Sequence, residues 1–383
     1  MNPPAVPRFR LAGFYLTYYA ALGAFTPYWS LYLQSKGLGA TAISVLMSLW
    51  YATRIVAPST WTTLAARSPQ PIRWLQIGSV LTLTTFVGFL LPLQLAGLFV
   101  AMVAFCFFYN AIMPQFESIT LSHLGARSEG YGAIRVWGSI GFIVVVVLYG
   151  RLIDHLGVAV LPALMLPLFA AMVGFAFANS YARQPETHAL DDDAGFRARL
   201  RRPQVIAFLG CAFLLQVSFG PYYTFFSIYL EGNGYSPTAQ GLLWATGVLV
   251  EIGVFFFAAR IFARWSADQV LLLSLLSAAL RWWAIALWPD NVWVMVLAQT
   301  THALSFGAFF AAAMQLLARY FPGRMNGHGQ GVFYGLSSGV GGVAGALLAG
   351  QLWRFGGGMA FAVSGGIALL AAAIAWYWLV RRR

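Results

Sequence analysis

Short polar segments divide the 383-residue chain into twelve long apolar runs. A helix of about 20 apolar residues crosses the hydrocarbon core of a bilayer, and each run is long enough for that. Hydrophobic residues make up 60% of the chain and charged residues only 9%. A water-soluble fold would therefore expose far more apolar surface than such folds normally show. The sequence predicts an all-α membrane protein with twelve transmembrane helices and excludes an ordinary soluble enzyme.

Charged, glycine and proline residues at the end of each run set the predicted helix boundaries, to within about four residues. The first six spans lie near 9–33, 41–65, 73–94, 98–123, 131–154 and 157–181, and the second six near 204–230, 238–263, 268–289, 292–318, 328–353 and 357–380. One long polar stretch separates the two sets. We therefore predict an N-terminal six-helix bundle (1–182), a cytoplasmic linker (183–203) and a C-terminal six-helix bundle (204–383).

Basic residues are distributed unevenly between the two sides of the predicted spans. The formal net charge is +12, yet the basic residues stand between apolar runs and do not form one solvated patch, which argues against nucleic-acid binding. Most of them fall on the side that holds both termini, whereas the other side carries only Lys36, Arg151 and Arg354. Because Lys and Arg in short loops are retained in the cytoplasm, both termini are predicted to be cytoplasmic.

The two halves repeat one another in sequence. A shift of 197 residues places Ser30–Leu33 over Ser227–Leu230, and it also places Gly37 over Gly234. Equivalent orientation in the two halves implies parallel repeats related by an axis along the membrane normal. That architecture occurs in secondary transporters, whose binding site lies at midplane between the halves. The repeat therefore favours a transport function.

Six charged or histidine residues are predicted to lie near the bilayer centre, where a charge costs at least about 2.5 kcal/mol and usually marks a pathway. They are Arg54, Glu117, Arg135, Glu251, Arg281 and His302. The 197-residue shift places Arg54 over Glu251, so opposite charges occupy equivalent positions of the two halves. Structural ion pairs that hold helices together are the alternative. We favour a pathway in which Glu117 and Glu251 are the available proton carriers and Arg281 and His302 adjust them.

Aromatic residues crowd the first and seventh spans, among them Tyr19 and Tyr223. Most are expected to be core residues or interfacial anchors, and a minority to line a cavity for a flat or partly apolar ligand. Gln216 in the seventh span predicts either a cavity or an interhelical hydrogen bond. The sequence has no catalytic triad, no metal-ligand spacing and no phosphate loop. We therefore expect no enzyme activity, no metal and no cofactor, and energy taken from a gradient.

The chain resembles the major facilitator superfamily over nearly its whole length, in particular the branch that contains lactose permease and the bacterial 3-phenylpropionate permease. Glu117, followed 18 residues later by Arg135 within Gly132–Gly138, resembles the acid and arginine pair that binds sugar in lactose permease. Phe142 stands where that permease has a tryptophan that stacks on sugar. The resemblance thus implies substrate-binding roles for Glu117 and Arg135 and disfavours galactosides.

The second half resembles the proton-coupling cluster of the same branch. Arg281 and His302 correspond to its arginine and histidine, whereas Ser305 and Val248 stand where lactose permease has acids. Glu251 lies one turn beyond Val248 and matches the phenylpropionate permease, as do Arg54, Gln216 and the segment around Arg135. The resemblance implies that proton coupling has moved to Glu251.

These observations lead to one expected function and three alternatives. We expect a monomeric, multi-pass symporter of the bacterial cytoplasmic (inner) membrane that couples protons to a small organic substrate, an aromatic carboxylate in preference to a sugar. The expected substrate site comprises Arg54, Glu117, Arg135, Phe142, Tyr19, Gln216 and Tyr223, and the proton-coupling set comprises Glu251, Arg281, His302 and Glu117. The alternatives are a sugar or nucleoside symporter, a proton-antiport exporter of lipophilic compounds, and a sensor that keeps a transporter scaffold without turnover.

Overall fold

A computed structural model of the chain describes residues 6–125, 130–181 and 193–381. Its architecture is helical throughout these ranges, with thirteen helices in chain order. They are α1 (Arg8–Ser35), α2 (Ala40–Ala66), α3 (Ile72–Leu90), α4 (Leu95–Leu124), α5 (Tyr131–Leu156), α6 (Val158–Ala178), α7 (Asp193–Leu200), α8 (Pro203–Gly232), α9 (Pro237–Arg264), α10 (Ala267–Leu287), α11 (Val292–Tyr320), α12 (Met325–Trp353) and α13 (Gly357–Arg381).

Twelve of these helices correspond to the twelve predicted spans, and each predicted boundary is within four residues of the observed one. Ten helices of the described ranges are long and apolar enough to cross a membrane. The other two long helices, α1 and α9, each have 28 residues. Arg8, Arg10 and five tyrosines make α1 less apolar. The predicted all-α membrane class is confirmed.

Contacts within the chain define two compact units, which differ from a simple division at the linker. Unit 1 comprises residues 1–37 and 52–188, and unit 2 comprises residues 38–51 and 189–383. In unit 1, α1 packs along α5 and α6, and α3 packs against α4 and α6. In unit 2, α13 packs against α10 and α8. The division into two six-helix bundles stays a prediction.

The first turns of α2 belong to unit 2 because they pack against α12. A Cβ atom on Gly342 would lie 2.2 Å from the Tyr51 ring, and one on Gly350 would lie 2.1 Å from Ser44 Oγ. Glycine is therefore required at both α12 positions for this close approach.

Part of the predicted linker is a helix. Residues 183–192 lie outside the described ranges, whereas α7 follows them directly. Phe196 of α7 is buried, with its ring 5.3 Å from that of Phe321 and 6.0 Å from that of His328. Arg199 Nη1 donates to the carbonyl of Tyr320 at 3.0 Å. The end of the linker is thus anchored on unit 2.

Three long helices of unit 2, α8, α11 and α12, depart from regular α geometry in their interiors, and α13 is π-helical at its end, Trp376–Arg381. In α8 the regular helix is interrupted at Phe219 beside Gly220 and Pro221, and a Cβ atom on Gly220 would lie 2.1 Å from the Gly345 carbonyl of α12. Proline removes an N–H donor, and a break in the helix follows. π-helical segments occur at Ala303–Ala308 in α11 and Gly335–Gly341 in α12. Such segments are frequent at functional sites.

Candidate functional site

A carboxylate on α4 is held by two tyrosines in unit 1. Tyr15 of α1 and Tyr131 of α5 both donate their hydroxyl protons to Glu117 Oε2, at 2.8 and 2.7 Å. Arg135 Nε lies 3.9 Å from the other oxygen, Oε1. Glu117 therefore accepts two phenolic hydrogen bonds on one oxygen and has a guanidinium near the other. The pair that the sequence predicted, Glu117 and Arg135, is therefore brought together, and Tyr131 is an additional member.

The guanidinium of Arg135 lies over the ring of Tyr19, 3.9 Å from its centroid, and farther from Tyr15, at 5.5 Å. Its side chain is 30% exposed. Within the described ranges no hydrogen bond engages its N–H groups; the ion-pair distance to Glu117 exceeds hydrogen-bonding range. Stacking on an aromatic face fixes the plane of a guanidinium and leaves its donor edge available for a carboxylate.

Small residues make room for this stack. A Cβ atom on Gly138, one turn beyond Arg135, would lie 2.7 Å from Tyr19 Cδ2 and 2.8 Å from Arg135 Nη1. One on Gly141 would lie 2.3 Å from the Leu16 carbonyl, so α1 and α5 touch backbone to backbone. The sequence analysis did not assign this role to Gly138, although a glycine one turn after an intramembrane arginine indicates space for the arginine side chain.

Arg54 has polar partners within unit 1. Its Nε donates to Asn110 Oδ1 of α4 at 3.2 Å, and Asn110 Nδ2 donates to Thr53 Oγ1 at 3.0 Å.

Phe142 is buried, at 8% exposure, and a Cβ atom on Gly23 of α1 would lie 2.7 Å from the carbonyl oxygen of Phe142. Phe142 therefore contributes its backbone to the packing between α1 and α5.

A second polar cluster lies in unit 2. His302 Nδ1 is 2.8 Å from Arg281 Nη1, and its Nε2 is 3.9 Å from Glu251 Oε2. Arg281 is almost fully buried, at 1% exposure. Arg281 lies on α10, His302 on α11 and Glu251 on α9. The sequence predicted only that Arg281 and His302 lie on adjacent spans. The structure thus joins three of the four predicted coupling residues in one chain of contacts, whereas the fourth, Glu117, lies in unit 1.

Two residues that the sequence analysis did not select complete this cluster. Gln299 Oε1 accepts hydrogen bonds from Arg281 Nη2 at 3.1 Å and from the Tyr222 hydroxyl at 2.9 Å. The Tyr222 ring also lies 4.3 Å from the guanidinium carbon of Arg281. Gln299 lies one turn before His302 on α11, and this spacing in the sequence could have identified it as a neighbour of His302.

The remaining predicted residues lie at the edges of this cluster or apart from it. The Ser305 hydroxyl donates to the backbone carbonyl of Thr301 at 3.1 Å, so it is occupied locally within α11. The Tyr223 ring stacks on Phe219, with centroids 5.5 Å apart. Gln216 lies on α8 at the contact with α12, where a Cβ atom on Gly341 would be 3.3 Å from its Cβ.

The two clusters have chemistry suited to binding and proton transfer. Within the described ranges no group of three or more His, Cys, Asp or Glu residues is arranged to hold a metal ion. The groups present are carboxylates, an imidazole, guanidinium groups and phenols, which bind anions and exchange protons.

Comparisons with known proteins agree with this architecture. A probable 3-phenylpropionic acid transporter of Escherichia coli (strain K12) is 29% identical over 309 residues, covering 79% of this chain and 80% of that protein. The maltose permease of Geobacillus stearothermophilus is 29% identical over 360 residues, covering 90% of this chain and 88% of that protein. The crystal structure of the nucleoside transporter NupG matches with a TM-score of 0.83 at 16% identity, covering 99% of this chain and 100% of that one.

The family assignment rests on a match that extends over almost all of the described helices. The model of the MFS_1 like family matches residues 8–363, from the first turn of α1 into α13. The match to NupG shows that the fold is that of the major facilitator transporters. The chain therefore belongs to the MFS_1 like family and is a secondary transporter of the major facilitator superfamily, not an enzyme.

Proposed function

We propose that this transporter is a proton-coupled symporter that imports a small aromatic carboxylate by alternating access. The single observation that carries the substrate class is the guanidinium of Arg135. It is stacked on Tyr19 at 3.9 Å, and its N–H groups have no hydrogen-bond acceptor in the described ranges.

The environment of Arg135 suits an anion better than a neutral sugar. Glu117 is 3.9 Å away, so it partly balances the charge of Arg135 without occupying its donors. A substrate carboxylate can therefore form two parallel, charge-assisted hydrogen bonds with the guanidinium. The ring of Tyr19, which is partly exposed, provides apolar surface for an aromatic substrate. The similarity to a probable 3-phenylpropionic acid transporter supports the same class.

Glu251 is the proposed proton carrier, and Arg281 and His302 adjust its protonation. In the proposed cycle, the outward-open protein binds a proton and the substrate, the two halves rock around the midplane, and both ligands leave on the cytoplasmic side. We also propose that both termini are cytoplasmic, that the membrane is the bacterial inner membrane, and that the monomer is the working unit.

Ligand binding to purified protein tests the substrate class. A ligand that binds only the folded protein stabilises it by RT ln(1 + L/Kd), where L is the free ligand concentration, so the melting temperature rises with that concentration. We expect 3-phenylpropionate to raise the melting temperature, whereas 3-phenylpropanol, which has the same ring and chain but no charge, should not. Maltose and uridine represent the sugar and nucleoside alternatives, and a lipophilic cation represents the exporter. The proposed substrate class would be contradicted if 3-phenylpropanol stabilised the protein as much as the acid does. It would also be contradicted if maltose, uridine or the cation raised the melting temperature and 3-phenylpropionate did not.

A further inference from the structure

Four contacts, three of them within hydrogen-bond distance, connect Tyr222 to Glu251 through the interior of unit 2. The Tyr222 hydroxyl and Arg281 Nη2 both donate to Gln299 Oε1, at 2.9 and 3.1 Å. Arg281 Nη1 lies 2.8 Å from His302 Nδ1, and His302 Nε2 lies 3.9 Å from Glu251 Oε2. Gln299 is fully buried, and Tyr222 is 1% exposed. The chain of contacts is therefore shielded from bulk water at the end opposite Glu251.

The direction of the contact between Arg281 and His302 fixes where the imidazole proton lies. A guanidinium stays protonated in proteins and has only donors, so His302 Nδ1 must accept. A neutral imidazole carries one proton, which is then on Nε2, the nitrogen that faces Glu251. A second proton can reach Nδ1 only after Arg281 moves away. The histidine is thus held neutral, with its single proton directed toward the carboxylate.

Neutral acceptors and aromatic rings hold Arg281 in this position. Among the described residues no carboxylate lies within ion-pair distance of Arg281, and its Nε has no hydrogen-bond partner. Tyr222 and Trp282 place their rings 4.3 and 4.6 Å from the guanidinium carbon. Gln299 therefore supplies a hydrogen-bond acceptor that orients Arg281, and Tyr222 orients Gln299 and also lies against Arg281.

We propose that Gln299 and Tyr222 are positioning residues that hold Arg281 on His302 Nδ1 and thereby keep the His302 proton on Nε2, facing Glu251. The importance of this proton for transport rests on the proposed function, but its location does not. The acceptor oxygen of residue 299 is the essential feature. Gln299→Leu removes it with little change in size, whereas Gln299→Glu keeps it.

Nitrogen NMR of the full-length protein with ¹⁵N-labelled histidine tests the location of the proton. The chain has five histidines, so the His302 signals are identified by their loss in His302→Asn. We expect a neutral imidazole in the wild type, with the proton on Nε2 and the signal of a hydrogen-bonded acceptor at Nδ1. Gln299→Leu should lose that acceptor signal, Gln299→Glu should retain it, and Tyr222→Phe should weaken it.

Gln240→Leu is the matched control, because Gln240 is also fully buried in unit 2 and its Nε2 donates to the Tyr235 carbonyl. This variant should leave the His302 signals unchanged, and melting temperatures show whether each variant is folded. A proton on Nδ1 in the wild type, or an unchanged acceptor signal in folded Gln299→Leu, would overturn the proposal. If Gln299→Leu does not fold, an unchanged acceptor signal at His302 Nδ1 in folded Tyr222→Phe would overturn the proposal instead.

Transport by the same variants separates this proposal from the proposed function. We expect the ratio of uphill accumulation to exchange to fall by about tenfold in Gln299→Leu, roughly the factor that one hydrogen bond to a charged group represents. Gln299→Glu should retain the ratio more fully. If the wild type keeps the proton on His302 Nε2 but never accumulates an aromatic acid, the symport function is contradicted and the positioning role is not. If the wild type accumulates an aromatic acid but has the His302 proton on Nδ1, the positioning role is contradicted and the symport function is not.

Discussion

The polar clusters of the two units differ in how fully their charged groups are occupied. In unit 1 Arg135 and Glu117 are each about 30% exposed, and the donors of Arg135 are open. In unit 2 Arg281 and His302 are buried, and protein groups contact both imidazole nitrogens. An open, oriented cation binds a ligand, whereas a buried and internally bonded chain transmits a change in protonation. On this comparison we propose that unit 1 recognises the substrate and that unit 2 handles the proton.

Removal of the open cation should have the largest effect. Arg135→Gln removes the charge and the paired donors, so we expect the Kd for 3-phenylpropionate to rise by about 100-fold, equivalent to about 2.7 kcal/mol. Isothermal titration of the purified protein measures this. The matched control is Arg151→Gln, because Arg151 is an exposed arginine on the same helix. Equal affinity in Arg135→Gln and Arg151→Gln would remove unit 1 from recognition.

Removal of the carboxylate in unit 2 should uncouple transport without preventing exchange. Coupling to one proton allows about tenfold accumulation of a substrate per pH unit of gradient, because each pH unit is a factor of ten in proton concentration. Glu251→Gln should reduce this ratio to one while exchange between labelled and unlabelled substrate continues. Vesicle uptake with an imposed pH gradient measures both rates.

Glu231→Gln is the control for this experiment, because Glu231 is an exposed glutamate at the end of α8. It should accumulate substrate as the wild type does. Full accumulation by Glu251→Gln would reject the assignment of the proton to unit 2.

Helix positions were predictable from the sequence, and the details of the contacts were not. Hydropathy runs located all twelve long helices to within four residues, because each apolar stretch must match the bilayer thickness. The pairs Glu117–Arg135 and Arg281–His302 followed from family spacing and from adjacent spans. Gln299, Tyr222 and Tyr131 were missed because their roles depend on how each helix is rotated about its axis. The same rotation directs Ser305 to its own backbone and packs the backbone of Phe142 against α1.

A methyl group at Gly138 should disturb recognition less than loss of the cation. Gly138→Ala would press on both Tyr19 and Arg135, at 2.7 and 2.8 Å, and an overpacked contact of about 1 kcal/mol would raise the Kd roughly fivefold. Gly132→Ala is the control on the same helix, since nothing lies within 4 Å of a Cβ atom there. If both variants bind alike, the stack of Arg135 on Tyr19 does not determine affinity.

Loss of one phenol on Glu117 should have the smallest effect. Tyr131→Phe leaves Tyr15 as the remaining phenolic donor, and because Glu117 Oε2 keeps that hydrogen bond, we expect the KM for uptake to change by only about threefold. Tyr149→Phe, on the same helix, removes a hydroxyl that donates to the Leu164 carbonyl and should leave the KM unchanged. An unchanged KM in Tyr131→Phe would show that Tyr15 alone suffices to hold the carboxylate.

Proton movement during substrate entry tests the central claim most directly. Purified protein is reconstituted into vesicles in weakly buffered medium without a gradient, and 3-phenylpropionate is added outside while the external pH is recorded. Symport predicts that the medium becomes alkaline, because each substrate anion that enters takes a proton with it, and that Glu251→Gln abolishes the change. Acidification of the medium would indicate antiport, and substrate entry without any pH change would contradict proton coupling.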